Sequence, residues 1–125
     1  MTFEEAHRLI KRDQLGALKE AIPSQINASS TYSLGWTLLM LAALEGNTQI
    51  GAFLVEHGAD VSALNKYGES ALSLSAHKGH LSFVKLLRSY GATPDVRPHG
   101  HGLEKWLRMT SGLPEKKIDA LLAAI

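Results

Sequence analysis

Two stretches of sequence that lie 33 residues apart decide the fold. The first reads Gly35-Trp-Thr-Leu-Leu-Met-Leu-Ala-Ala-Leu-Glu-Gly-Asn47, and the second reads Gly68-Glu-Ser-Ala-Leu-Ser-Leu-Ser-Ala-His-Lys-Gly-His80. Another glycine pair, Gly58 and Gly91, follows with the same spacing. Glycines in phase mark fixed backbone requirements, and a period of roughly 20–50 residues is typical of stacked repeats. The sequence therefore predicts a repeat protein.

Each repeat is predicted to form two short helices joined by a tight turn. Thr37, an N-cap residue type, precedes an apolar first helix, and Ser70 stands at the same place in the next repeat. The second helix has apolar residues at i, i+3 and i+4, as at Ile50, Phe53 and Leu54. Glycines stand between the two helices and after the second one, where a turn and a left-handed C-cap are expected.

The same period extends less regularly to both ends of the chain. Helices are expected at 3–10 and 15–22, and again at 103–110 and 114–125. Terminal repeats of a stack are atypical because one side meets water. We expect an all-α solenoid of about four helix–turn–helix repeats with short hairpin loops. The expected segments of this single domain, 1–125, are an N-terminal capping repeat at 1–31, internal repeats at 32–64 and 65–97, and a divergent C-terminal capping repeat at 98–125.

These repeats resemble the ankyrin repeat family, whose pattern places Gly-x-Thr-Pro-Leu-His-x-Ala-Ala before a Gly-His turn, followed by a Leu-Leu pair and Gly-Ala-Asp-Val-Asn. The resemblance is clear over residues 32–97 and rests on periodicity elsewhere. The matching segments are 35–43, Gly46-Asn47, Phe53-Leu54 and Gly58-Ala-Asp-Val-Ser62, then 68–76, Gly79-His80, Leu86-Leu87 and Gly91-Ala92.

The chain departs from the family pattern at two positions of each repeat. Leu38 and Ala71 replace the proline, and Met40 and Ser73 replace the histidine that usually bonds across repeats. The family's Thr–His network is therefore expected to be absent.

The resemblance implies binding of another protein through the concave groove and the hairpin tips. Trp36 and Tyr67 are expected to anchor the partner, because Trp and Tyr are frequent interface hot spots. The alternative for Trp36 and Leu64 is local packing between adjacent hairpins. The full expected surface comprises Leu34, Trp36, Leu44, Glu45, Lys66, Tyr67, Glu69, His77 and Lys78, with Ser33 and Leu64 beside them. Leu34 and Leu44 would exclude water from the interface. The polarity of the surface would be determined by Glu45, Glu69, His77 and Lys78.

The expected role is that of an inhibitor, an immunity or antitoxin-type protein, or an adaptor. One alternative is a metal- or ligand-binding protein that uses a cluster of His77, His80, His99 and His101. Another is a structural module that associates with itself through the apolar strip.

Composition and motif content argue against several other classes of function. Thirteen Lys and Arg against twelve Asp and Glu leave a net charge of +1, which argues against a nucleic-acid or membrane-surface binder. The absence of cysteine excludes disulfides and Cys-ligated zinc. The sequence has neither a nucleophile elbow nor a phosphate loop, so we expect no enzyme activity and no cofactor. A cytoplasmic protein that is monomeric when free is the expectation.

Overall fold

The chain folds into helix–turn–helix pairs, as a computed structural model shows for residues 1–22, 24 and 26–125. Within these residues there are eight α-helices and no strand, so the expected all-α solenoid is confirmed. The helices are α1 (Phe3–Lys11), α2 (Leu15–Ala21), α3 (Leu38–Glu45), α4 (Thr48–Glu56), α5 (Ala71–His77), α6 (Leu81–Ser89), α7 (Leu103–Thr110) and α8 (Glu115–Ala123). None of these helices combines the length and the apolar character that crossing a membrane requires.

The helices stack in two rows. The first helices of the pairs form an inner row in which α1 packs on α3, α3 on α5 and α5 on α7. Behind them, α4 packs on α6 and α6 on α8. The hairpin tips are the loops that precede α3, α5 and α7, and we call the inner row with these tips the groove face.

The central helix α3 is buried over most of its length. All six residues from 38 to 43 are buried, because α1 and α5 flank the helix in its row and α4 covers its back. This position accounts for its almost uniformly apolar sequence, which lacks the polar stripe of a surface helix.

Two buried serines in α5 are held by the helix backbone. The Ser73 hydroxyl accepts a hydrogen bond from the backbone N–H of Ser70 at 2.8 Å, and the Ser70 hydroxyl accepts one from the N–H of Ser73 at 3.1 Å. Ser75 donates its hydroxyl to the Leu72 carbonyl at 2.9 Å. Ser73 and Ser75 are therefore structural residues, and the expected N-caps at Thr37 and Ser70 are confirmed.

Gly46 shows how tightly successive repeats approach one another. It ends α3 with φ +76°, and a Cβ atom there would lie 2.6 Å from Nδ1 of His80. The His80 ring is held in place because its Nε2 lies 2.9 Å from the Leu44 carbonyl oxygen. Glycine is thus required at position 46 by its backbone conformation and by the neighbouring repeat.

A pair of alanine substitutions tests this close approach. Gly58→Ala is expected to cost about 1–2 kcal/mol, because Gly58 has φ +101° but open space around its Cβ position. Gly46→Ala should cost about 1–3 kcal/mol more, since the new methyl group also strikes the His80 ring. Urea unfolding measures both values. The excess should disappear in a His80→Ala background, and equal costs for the two glycines in the native background would contradict the packing described.

Candidate functional site

The groove face has a depression in each half of the chain that contains residues expected on the binding surface. The first, which we call the apolar depression, has a volume of about 300 Å³ and lies between α1 and α3. It is lined by Phe3, His7, Trp36, Leu41 and Leu44. The structure thus brings together Trp36 and Leu44, two residues expected on the binding surface. Phe3 and His7 of α1 line the same depression.

Tyr32 closes the N-terminal side of this region. Its ring stacks on Phe3 with a centroid distance of 4.1 Å, and Phe3 in turn lies near His7 at 6.4 Å. Burial raises the pKa of the Tyr32 hydroxyl. Tyr32 therefore packs beneath the groove face instead of projecting from it.

The second depression, which we call the histidine pocket, lies where α5 meets α7. Its volume is about 410 Å³. Glu69 comes from the tip before α5, and His77 is the last residue of α5. The tip before α7 and α7 itself provide the remaining side of the pocket. Its full lining is Glu69, His77, His99, His101, Trp106, Met109 and Thr110.

Glu69 is buried in the histidine pocket, with only 8% of its surface exposed. Asn65 donates its side-chain N–H to Oε1 of Glu69 at 2.8 Å, and its own amide oxygen accepts the backbone N–H groups of Tyr67 and Glu69. Nε2 of His99 lies 3.2 Å from Oε2 of the same carboxylate. The expectation of an exposed Glu69 is therefore wrong, because this hydrogen-bonded turn folds its side chain inward.

His77 is fixed against α7. Its ring centroid lies 4.4 Å from that of Trp106, and its Nε2 lies 3.0 Å from the Thr110 hydroxyl oxygen. The Thr110 hydroxyl donates its only proton to the Trp106 carbonyl at 2.7 Å, so Nε2 of His77 must be the donor in the other bond. Burial lowers the pKa of His77, and the nearby Lys78 ammonium lowers it further.

The four histidines do not converge as the metal hypothesis requires. His77, His99 and His101 line one pocket, whereas His80 turns away to the Leu44 carbonyl in the preceding repeat. Across the described ranges, no group of three or more His, Cys, Asp or Glu side chains is placed to hold a metal ion.

The other expected surface residues differ in exposure. Leu34, Leu64 and Tyr67 are 46%, 53% and 43% exposed at the hairpin tips. Trp36, Leu44 and His77 are half-buried, and Trp36 and Leu44 also pack on the core. Ser33, Glu45, Lys66 and Lys78 are exposed.

Several lining residues were not expected from the sequence, although the 33-residue period relates them to residues that were. Phe3 precedes Trp36 by one period, and Thr110 follows His77 by one period. Residues one period apart lie side by side on adjacent inner helices, as the hydrogen bond between His77 and Thr110 shows. The 33-residue spacing that pairs these residues is present in the sequence, but it is hard to recognise because the repeats at both ends of the chain are irregular.

A family model described as Ankyrin repeats (3 copies) matches residues 6–98. Human Ankyrin repeat domain-containing protein 17 is 40% identical over 73 residues, which span 57% of this chain and 3% of that protein. Ankyrin repeat and KH domain-containing protein mask-1 of Caenorhabditis elegans is 34% identical over 88 residues, or 69% of this chain and 3% of its own length. Human NAD-capped RNA hydrolase NUDT12 is 40% identical over 65 residues, covering 52% of this chain and 14% of that protein. The chain thus corresponds to a small part of each relative.

A nuclear magnetic resonance titration tests the environment of His77. Its pKa should lie below the ordinary value of 6.5, because burial and Lys78 both disfavour the charged ring. In Lys78→Gln the pKa should rise only part of the way to 6.5, since burial remains. The free energy of unfolding should fall as the pH drops below 6.5, because the unfolded chain then protonates His77 more readily than the folded chain does. A pKa at or above 6.5 would contradict this description.

Proposed function

Because this chain belongs to the ankyrin repeat family, whose repeats generally mediate protein–protein interaction, we propose that it binds a partner protein through its groove face and hairpin tips. The exposed apolar side chains carry this proposal. Five large ones are found among the described residues: Leu34, Leu64, Tyr67, Tyr90 and Met109. Three stand on hairpin tips, and Met109 lines the histidine pocket, so four of the five share the groove face. Apolar side chains gathered on one face favour an interaction surface.

The binding mechanism we propose is burial of this face against the partner. Trp36 presents its half-exposed ring beside Leu44 in the apolar depression, and Tyr67 presents its ring at the next tip. Aromatic side chains in such places bury a large area at a small cost in rotamer entropy. Leu34 and Leu44 would exclude water around them. Glu45, Lys66 and Lys78 would supply the polar rim.

We further propose that the chain acts by occlusion or bridging. An inhibitor or an immunity or antitoxin-type protein would cover the partner's working surface, whereas an adaptor would leave that surface free. An activity assay on the captured partner separates these roles, because only occlusion abolishes activity when this chain is in excess. A cytoplasmic location and a monomeric free state are part of the proposal.

Catalysis is not part of the proposed function. The family is typically non-enzymatic, and the two serines nearest to His77 are committed to backbone hydrogen bonds in α5. The hydrolase named among the relatives matches over only 14% of its length, so its activity is not carried over to this chain.

Affinity capture from a native lysate tests the groove face with matched variants. The double variant Leu34→Asn, Leu64→Asn should lose the partner, because both apolar tips become polar while the backbone is preserved. Asparagine suits position 34, where φ is +61°. The control Tyr90→Asn removes an exposed ring at the end of α6, away from the groove face. We expect the tip variant to weaken binding by about 2 kcal/mol or more and the control to leave it unchanged.

Circular dichroism and light scattering accompany this comparison. The tip variant must retain its helix content, and the native chain should keep a monomer mass as its concentration rises. Capture of the same partner with equal strength by all variants would refute the groove-face assignment. A mass that grows with concentration would instead support self-association through the apolar tips.

A further inference from the structure

The histidine pocket contains a buried carboxylate whose two oxygens have hydrogen-bond partners but no lysine or arginine partner among the described residues. Oε1 of Glu69 accepts a hydrogen bond from the neutral amide of Asn65, and Oε2 faces Nε2 of His99. Within the described part of the chain, His99 is the one side chain at ion-pair distance from this carboxylate. A buried carboxylate is stabilised most by a hydrogen-bonded positive charge, and here no arginine or lysine among the described residues provides it.

The histidine rings of the pocket add acceptors to this carboxylate. His77 donates its Nε2–H to Thr110, which leaves Nδ1 as an acceptor in the neutral ring. His99 must likewise donate from Nε2 to the Glu69 carboxylate, and in the neutral ring its Nδ1 is an acceptor. A carboxylate in a pocket lined by histidine rings with free acceptor nitrogens favours a ligand group that is rich in donors.

The rings in and beside the pocket are stacked or moderately tilted against one another. Tyr67 and His99 stack at 5.4 Å with an angle of 18° between their planes, and His99 and Trp106 lie 6.1 Å apart at 26°. His77 and Trp106 lie 4.4 Å apart at 30°. Such walls suit a planar cation, because a guanidinium group stacks on aromatic faces while an ammonium group is compact and strongly hydrated.

We propose that the histidine pocket binds an arginine side chain of the partner protein, with the guanidinium group at Glu69 and the aliphatic stem along the exposed Met109. The inference rests on the proposed function, since it names the group that the partner inserts into the same face. A partner carboxylate would meet repulsion from Glu69, and a lysine would lack the planar donor set.

Lys78 is the nearby charge that opposes a cation in this pocket. It follows His77 directly and lies exposed to solvent. Water and salt screen an exposed charge far more than a buried one, so the buried Glu69 carboxylate dominates inside the pocket.

Binding of blocked amino acids, followed by nuclear magnetic resonance, tests the pocket without the partner. The probe is N-acetyl-arginine amide, and its matched control is N-acetyl-citrulline amide, which has nearly the same shape without the charge. The arginine probe should shift the indole N–H signal of Trp106 and the ring signals of His77 and His99. It should bind at least tenfold more tightly than the citrulline probe and more tightly than N-acetyl-lysine amide. Equal binding of arginine and citrulline, stronger binding of N-acetyl-glutamate, or no shift at these residues would overturn the proposal.

A pair of substitutions adds a test on the protein side. Glu69→Gln keeps an oxygen for Asn65 but removes the charge, and it should weaken the arginine probe at least tenfold. Glu20→Gln changes an exposed carboxylate on α2, outside the groove face, and should leave the affinity unchanged. Unchanged affinity in a folded Glu69→Gln variant would overturn the proposal. If that variant fails to fold, the comparison of arginine with citrulline on the native chain decides the question.

The two proposals fail in different ways. The blocked amino acids report on the histidine pocket alone, whereas lysate capture with the Leu34 and Leu64 variants reports on the hairpin tips. If the arginine probe does not bind, capture that depends on Leu34 and Leu64 still supports the proposed function. If the tip variant captures the partner as strongly as the native chain, binding of the arginine probe still supports the inference about the pocket.

Discussion

The stacking of the first three repeats depends on a polar side chain that reaches back from one repeat to a carbonyl of the repeat before it. Asn47 donates its side-chain N–H to the Ile10 carbonyl at 2.6 Å, and His80 places Nε2 2.9 Å from the Leu44 carbonyl. Both residues stand just before a second helix, one period apart, and both carbonyls lie at the end of an inner helix. The last carbonyls of a helix have no partner within it. His80 therefore satisfies the Leu44 carbonyl, whereas the Ile10 carbonyl also accepts the backbone N–H of Asp13 at 3.1 Å.

This contact changes character at the C-terminal repeat. The equivalent position is Leu113, whose side chain packs at 3.3 Å from where a Cβ on Gly79 would lie, so an apolar contact replaces the polar one. The last helix pair is joined instead by Arg108, which binds Glu104, Glu115 and Asp119. These carboxylates are well exposed, and exposed ion pairs contribute little to stability. The C-terminal pair is therefore held mainly by its apolar side chains against α5 and α6.

The same stacking creates the groove face. It sets residues one period apart next to each other, which places Phe3 beside Trp36 in one depression and His77 beside Thr110 in the other. Backbone hydrogen bonds tie successive tips together as well, from Lys66 to the Leu34 carbonyl at 2.8 Å and from His99 to the Tyr67 carbonyl at 2.7 Å. A partner that covers this face would meet an apolar region at one end and an acceptor-lined, acidic pocket at the other. On the proposals made above, such a face would distinguish partners by where they place an apolar group and a cation.

The sequence by itself determined the features that a short stretch of chain controls. The period, the glycine turns and the caps at Thr37 and Ser70 follow from local backbone requirements, and the helices at 103–110 and near both termini follow from apolar spacing. Only the tertiary structure decided which way the polar side chains of the tips and turns point. Glu69 is buried by a hydrogen-bonded turn, and His80 leaves the other histidines to bond the preceding repeat. The turn between Asn65 and Glu69 is local, but the contacts of His99 with Glu69 and of His80 with Leu44 join residues 30 and 36 positions apart. No local pattern encodes those contacts, and the candidate site emerges only when the inner helices stack.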